Sequence, residues 1–379
     1  MPRLNTFSIL QAYRRDPLLP LLLRECRSVG SARNELHWLR QHALGSRRPD
    51  VSQIYKSLGD TRYGWRSQLK SMCRERSRGK PLQYILGNQP FGDLDILCRK
   101  DVLIPRSDTE SYTLRAARLI LKTFSTHGQH PSSHLRPLRV LDLCSGTGCI
   151  PLLLHALLAP HFKSMSIVGF DISAKALALA NDNIMHNVRL GSLDERAIHE
   201  VRFYQGNILD RRFDQILESA SQGLLQLAAN NSSCTYDKSL KYDILISNPP
   251  YVSATSYRDG TTTRSVRRYE PKIALVPLMG HHDLLSTTDY KMEDTFYYPI
   301  LLLAFKLEAK ITVLECGDHE QADRIAYLCR KMARTKMNGV WHIQIWDCDW
   351  EDKDGKSSHS KIGSRAVILQ RLLPNAVLD

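Results

Sequence analysis

The sequence has no CxxC pair, no apolar run long enough to cross a bilayer, no GxGxxG fingerprint and, in its first fifty residues, no lysine. Each absence closes off a class of answers. Nine cysteines, scattered singly and odd in number, provide neither a zinc cluster nor a disulfide framework, so reduced thiols and no metal site are expected. The longest apolar stretches, at 18–23, 150–159 and 297–305, fall short of the roughly 18–20 residues a membrane helix needs. No membrane partner is therefore expected. Without GxGxxG, a nicotinamide-type dinucleotide site loses its main support.

Charge is what the chain has in excess. A formal net charge of +13 points to an acidic partner, for which a nucleic-acid-rich particle such as the ribosome, or RNA itself, is the commonest source. The basic residues of the first fifty positions are Arg3, Arg14, Arg15, Arg24, Arg27, Arg33, Arg40, Arg47 and Arg48, set against only Asp16, Glu25, Glu35 and Asp50. Two readings stand side by side. One is a mitochondrial presequence. The other is a basic amphipathic helical domain, with Leu36, Leu39 and Ala43 at helical spacing after a cap at Ser31.

The pattern stays helical to about residue 78. Apolar segments 91–96 and 102–104 then flank a polar turn and predict a short hairpin that connects to a larger domain. From 138 onward, apolar strands at 138–143, 166–170, 201–204, 242–247 and 310–315 alternate with helical stretches, which predicts a parallel sheet covered on both faces. Two last strands, 340–345 and 365–370, leave no room for a crossover helix between them and should pair antiparallel. The fold expected is α/β: a doubly wound, seven-stranded Rossmann-like sheet with an antiparallel last strand, behind a small N-terminal helical domain. The boundaries expected are 1–87 for the helical domain, 88–110 for the connector and 111–379 for the sheet domain. Polar stretches at 125–137, 230–238, 255–268 and 281–294 read as surface insertions.

Three motifs carry chemistry. In VLDLCSGTG (140–148) a strand runs into Cys144, Ser145, Gly146, Thr147 and Gly148 and then into a helical stretch, so backbone N–H groups face a ligand that approaches closely. Asp171 ends the next strand twenty-three residues after Gly148, where an acid accepts hydrogen bonds from ribose hydroxyls. Asn207 follows the third strand within reach of an adenine edge, with Ile208 against the ring. The third motif is Asn248–Pro249–Pro250–Tyr251, directly after a buried strand. Paired prolines fix the backbone and remove two donors. The Asn248 side-chain oxygen and the Pro249 carbonyl then accept both protons of a planar NH₂ group, and Tyr251 stacks on its plane. Holding a weak nitrogen nucleophile in line with a sulfonium methyl supplies much of the rate without a strong base. Together these motifs predict an S-adenosylmethionine-dependent methyltransferase acting on an amino or amide nitrogen.

Five ordered blocks, RGKPLQYILG (78–87), VLIPRSDTE (102–110), 140–150, YDILISNPPY (242–251) and YEPKIAL (269–275), resemble the HemK-type release-factor glutamine methyltransferases. That resemblance implies methyl transfer to the glutamine amide in the GGQ loop of a class-1 translation release factor, gripped by the N-terminal helical domain. It implies cofactor contacts from Cys144–Gly148, Asp171, Asn207, Ile208 and Asn248. Substrate contacts are implied for Asn248–Tyr251 and for Arg106, with Glu110 beside it in the hinge. A monomer is expected. Cys144 stands where the family often has glycine, Asn207 where it usually has an acid, and Ile208 where an aromatic residue can lie; MGHHDL (279–284) also departs from the bacterial pattern. The helical domain matches the organellar and bacterial branch and, with the arginine-rich start, favours the mitochondrial matrix, or the cytoplasm if the source is bacterial. The alternatives are an exocyclic-amine methyltransferase of nucleic acid and a non-catalytic protein that binds the ribosome.

Overall fold

The structure, a computed structural model, describes residues 4–45, 64–125, 137–229, 241–278, 291–336, 340–347 and 363–372, with the side chains of 222–229 left aside. Much of the polar stretches at 125–137, 230–238 and 281–294, including MGHHDL, lies outside the described residues. The chain divides into two units, residues 1–88 with 262–270, and residues 89–261 with 271–379.

The first unit is helical, with helices Thr6–Arg15, Leu19–Cys26, Val29–Gly45, Trp65–Ser77 and Leu82–Leu86. Leucines and small residues recur every three or four positions, so Ala12, Leu19, Leu22, Leu23, Ala32, Leu36, Leu39, Leu69 and Met72 meet in one core. A forked pair between Arg76 and Glu35, at 2.7 and 2.9 Å, closes its edge. The helix containing Leu36 starts at Val29, and its cap is Ser28, whose hydroxyl accepts from the Ser31 N–H at 3.0 Å, not Ser31 itself. A later piece of chain folds with this unit: Arg264–Tyr269 is a short helix whose Ser265 donates to the Gly79 carbonyl at 2.6 Å. Composition alone marked that piece as a surface insertion.

The second unit opens with a hairpin, β1 (Asn88–Phe91) and β2 (Leu94–Leu97), which turns at Gly92 with a positive φ of 58°. The expected second strand at 102–104 is not one. The hairpin closes one segment earlier, because Gly92 permits a tight turn within 91–96 itself. Its Phe91, Leu94 and Ile96 enter the core of the sheet domain. Two buried asparagines of helix Ala174–Leu190 fasten it there, Asn183 accepting from the Leu97 N–H at 2.7 Å and Asn187 from the Asp95 N–H at 2.9 Å.

The main sheet comprises β3 (Leu138–Leu143), β4 (Met165–Asp171), β5 (Val201–Gln205), β6 (Ile244–Ser247), β7 (Ile311–Cys316), β8 (Val340–Asp347) and β9 (Arg365–Leu372), in the order β5-β4-β3-β6-β7-β9-β8. All pairings are parallel up to β7, and β9 runs antiparallel to both β7 and β8. Full burial of β3, β6 and β7 explains their unbroken apolar character, since helices cover both faces. Val140, Ile246 and Val313 look toward helices Ser107–Ser125 and Cys149–Leu158, while Leu141, Leu245 and Leu314 look toward Phe213–Ala229, Tyr297–Lys306 and His319–Lys336. Strand order reverses between β3 and β6, which opens a crevice at their carboxyl ends.

Candidate active site

Register alone brings the key positions into one row. Leu143 pairs with Phe170 on one side and Ser247 on the other, and Ser247 pairs with Leu314. One residue further on, Cys144, Asp171, Asn248 and Glu315 therefore stand side by side at the carboxyl edge. Pairing between β3 and β4 and between β3 and β6 ends at this edge, and Cys144, Asp171 and Asn248 line a cavity of about 740 Å³ there, while Glu315 stays buried beside it. That volume falls within the roughly 300–1,000 Å³ of small-ligand sites.

Cys144, Gly146, Asp171, Asn207, Ile208, Asn248 and Pro250 line this cavity. Ser145, Thr147 and Gly148 belong to the same turn but not to its wall. Ser145 is buried and donates weakly to the Asp142 carbonyl at 3.4 Å, the Thr147 carbonyl accepts from Asn183 at 2.9 Å, and Gly148 heads helix Cys149–Leu158 with φ 77°. A Cβ at Gly148 would lie 2.8 Å from the Phe203 ring, so glycine is required there for space as well as for conformation. Cys144 holds φ 65° without being glycine, a strain of roughly 1–2 kcal/mol. Burial pushes its thiol well up, helped by the charges of Asp171 and Asp142, so it is no nucleophile.

Both carboxylate oxygens of Asp171 are held by backbone, Oδ2 by the Gly146 N–H and Oδ1 by the Ser173 N–H, each at 2.8 Å. The acid thus ties the glycine turn to the start of the next helix. Each oxygen keeps a further lone pair for a hydroxyl donor in the cavity. Burial raises its pKa, and the N–H bonds oppose the rise. Asn207 spends its side-chain oxygen on the Leu209 N–H at 3.0 Å, shaping the loop on which Ile208 packs. Val102, Leu103, Phe170, Ile172, Ile273, Leu278 and Phe296, from segments far apart in the chain, complete the apolar walls.

At the tetrapeptide, Asn248 and Pro250 face the cavity while Pro249 is buried behind them. Tyr251 does not line the cavity. Its hydroxyl donates to Glu315 Oε1 at 2.9 Å, and its ring lies so close to Gly317 that a Cβ there would approach within 2.9 Å. The Tyr251 carbonyl and the Asp294 carboxylate share the amide of Gln321, at 3.4 and 2.9 Å. Arg106 lies outside the wall, near enough to Tyr251 for its charge to oppose the upward push that burial gives that hydroxyl. Glu315 and Gln321 carry no spacing signal, each being a lone acid or amide in its element, and Thr109 lies inside the VLIPRSDTE block without a role that its spacing assigns. Below the turn sits Asp142, wholly buried, neither carboxyl oxygen having a hydrogen-bond partner among the described residues. Burial pushes its pKa up to about 8. No grouping of three or more metal-binding side chains occurs among the described residues.

The donor set fits a nucleoside carrying a sulfonium. It offers a carboxylate at the second strand end, an apolar slot beside Ile208 and few positive charges on the inner wall. No protein-family model matches the sequence. The chain is 30% identical over 359 residues to the probable MRF1 mitochondrial N(5)-glutamine methyltransferase mtq1 of Schizosaccharomyces pombe, spanning 88% of this chain and 98% of that protein. It is 31% identical over 300 residues to the mitochondrial MRF1 N(5)-glutamine methyltransferase MTQ1 of Saccharomyces cerevisiae, spanning 79% and 76% of the two. It is also 30% identical over 242 residues to the release factor glutamine methyltransferase of Haemophilus influenzae, with 63% and 66% covered. With the open α/β sheet, the glycine turn and the NPPY loop in one crevice, this extent of likeness means that the chain belongs to the release-factor N(5)-glutamine methyltransferases.

Proposed function

We propose that this protein transfers a methyl group to the side-chain amide nitrogen of the GGQ glutamine in a mitochondrial class-1 translation release factor. The observation that carries this reading is the shared cavity, bordered on one wall by Gly146 and Asp171 and on the other by Asn248 and Pro250. S-adenosylmethionine, when bound there, supplies an electrophilic methyl on sulfur. Cys144 and Gly146 would lie under it, Asp171 would accept from its ribose, and Asn207 and Ile208 would border its adenine. Asn248 Oδ1 accepts an N–H bond of the glutamine amide and points its nitrogen into the cavity. Apolar walls at Phe170, Ile273 and Phe296 exclude water, which would otherwise compete for that acceptor. The arrangement works by orientation, so no strong base is needed beside the nitrogen. Tyr251, tied down through its hydroxyl, keeps the loop rigid.

The mitochondrial assignment rests on the two fungal relatives and on the arginine-rich start. Release-factor binding falls to the helical unit as well as to the cavity, which favours a folded factor over a short GGQ peptide. Labelled cofactor offered with folded mitochondrial release factor, the GGQ peptide or total RNA tests all of this. Efficient labelling of the factor at a glutamine is expected. Labelling of RNA in preference to the factor would overturn the substrate, and equal efficiency on the peptide would remove the role of the helical unit.

A further inference from the structure

Resting on the reading of Asn248 as the group that orients the acceptor amide, we propose that Glu315 and Thr109 form a hydrogen-bond relay that decides which end of the Asn248 amide faces the cavity. Both are positioning residues. Glu315 is fully buried near the end of β7, beside Asn248 by sheet register. Thr109, equally buried, lies in the first turn of helix Ser107–Ser125. That turn is fixed on its other side by Asp108, which accepts from the Ser364 hydroxyl at 2.8 Å and its N–H at 3.2 Å.

The relay follows from proton counting. A carboxylate only accepts, and a hydroxyl has one proton to give. Thr109 gives its proton to Glu315 Oε2 at 2.9 Å, so toward Asn248 it can only accept, and Asn248 Nδ2 stands 3.3 Å from Thr109 Oγ1. The nitrogen end of the Asn248 amide is thereby turned inward, and Oδ1 is left for the cavity. The two ends of a carboxamide have nearly the same shape, so packing does not choose between them. The donor–acceptor sequence does. A substrate NH₂ group carries two donors; an Asn248 turned the other way would meet it donor to donor and repel it. Glu315 Oε1 meanwhile accepts from the Tyr251 hydroxyl at 2.9 Å. One buried acid therefore sets the polarity at the start of the tetrapeptide and anchors its end.

The test uses the full-length enzyme with folded release factor, and reads turnover, cofactor affinity and melting temperature for T109V, T109S, E315Q, N248A and the double variants N248A/T109V and N248A/E315Q. Thr109→Val keeps the shape and removes the hydroxyl. It is expected to lower kcat about 10- to 100-fold with cofactor Kd within about twofold of wild type, while T109S, which keeps the hydroxyl, recovers most of the turnover. Because Thr109 acts through Asn248 alone, N248A/T109V should be no slower than N248A, whereas N248A/E315Q also loses the Tyr251 anchor and should be slower by that second role. E315Q introduces a donor facing Thr109, probes the other end of the relay and serves should T109V fail to fold. Wild-type kcat in T109V and E315Q, or a T109V loss that multiplies with that of N248A, would overturn the relay and leave the site reading standing. Wild-type turnover in N248A would overturn the site reading itself.

Discussion

Replacing Asp171 by alanine should damage two things at once, and the structure fixes the proportion. In the free protein the carboxylate holds the Gly146 and Ser173 N–H groups, each at 2.8 Å. Removing it leaves two donors at the cavity edge without their partner. A buried donor left unpaired costs about 1–3 kcal/mol, and water entering the open side re-solvates the Gly146 group in part, so a total loss of about 2–3 kcal/mol is expected. Cofactor binding then loses its ribose acceptor as well, a charge-assisted contribution of about 1.5–3 kcal/mol, or about 10- to 150-fold in Kd. Asp171→Asn keeps one acceptor oxygen and should fall between wild type and alanine in both respects. Scanning calorimetry without ligand reads the first effect, and titration with S-adenosylmethionine reads the second. The pH dependence has a definite sign. Burial raises the Asp171 pKa, and only the ionised form accepts on both oxygens, so cofactor affinity should weaken as pH falls through that raised value. A D171A protein with wild-type Kd would refute the assignment of the ribose site. One that melts at the wild-type temperature would refute the bracing of the glycine turn.

Asn248→Ala should leave cofactor Kd within an order of magnitude and lower turnover by about 100-fold or more, because it removes an acceptor from the nucleophile and not from the cofactor; unchanged single-turnover rates would refute the role. Gly169→Ala places a methyl 2.5 Å from the half-buried Phe203 ring and 2.6 Å from the buried Ser145 Oγ. A loss of about 1–3 kcal/mol in denaturant melts is expected, with weakened cofactor binding as Ser145 is displaced, and wild-type values for both would show that these neighbours yield freely. Asp142, with its pKa pushed up to about 8, binds its proton more tightly folded than unfolded, so its contribution is complete below the ordinary carboxylate range and is lost as pH rises toward 8. Asp142→Asn, which cannot ionise, should therefore gain on wild type by roughly 1 kcal/mol per pH unit between about pH 5 and 8 and no further above that. A stability difference that ignores pH over that interval would refute the shift.

The sequence by itself determined the parts whose signal is local. Strand and helix alternation from Leu138 onward fixed the class of fold, because parallel strands buried on both faces must be apolar throughout and must be separated by crossovers. The glycine turn, Asp171 and NPPY were legible because each must follow a strand directly, and strand ends are visible in the pattern. Tertiary structure alone decided which of these residues meet. Parallel register, invisible in a linear pattern, aligned Cys144, Asp171, Asn248 and Glu315 at one edge. It separated Gly146, on the cavity wall, from Ser145 and Thr147, turned into the core. It sent Tyr251 to Glu315, and it joined 262–270 to a helical unit whose other residues end at 88. Hydrogen bonds such as Thr109 to Glu315 join residues 206 positions apart, so neither partner leaves a trace near the other in the chain. What holds the tetrapeptide in place is therefore set by the packing of a helix start against a strand end, and only the folded molecule brings those together.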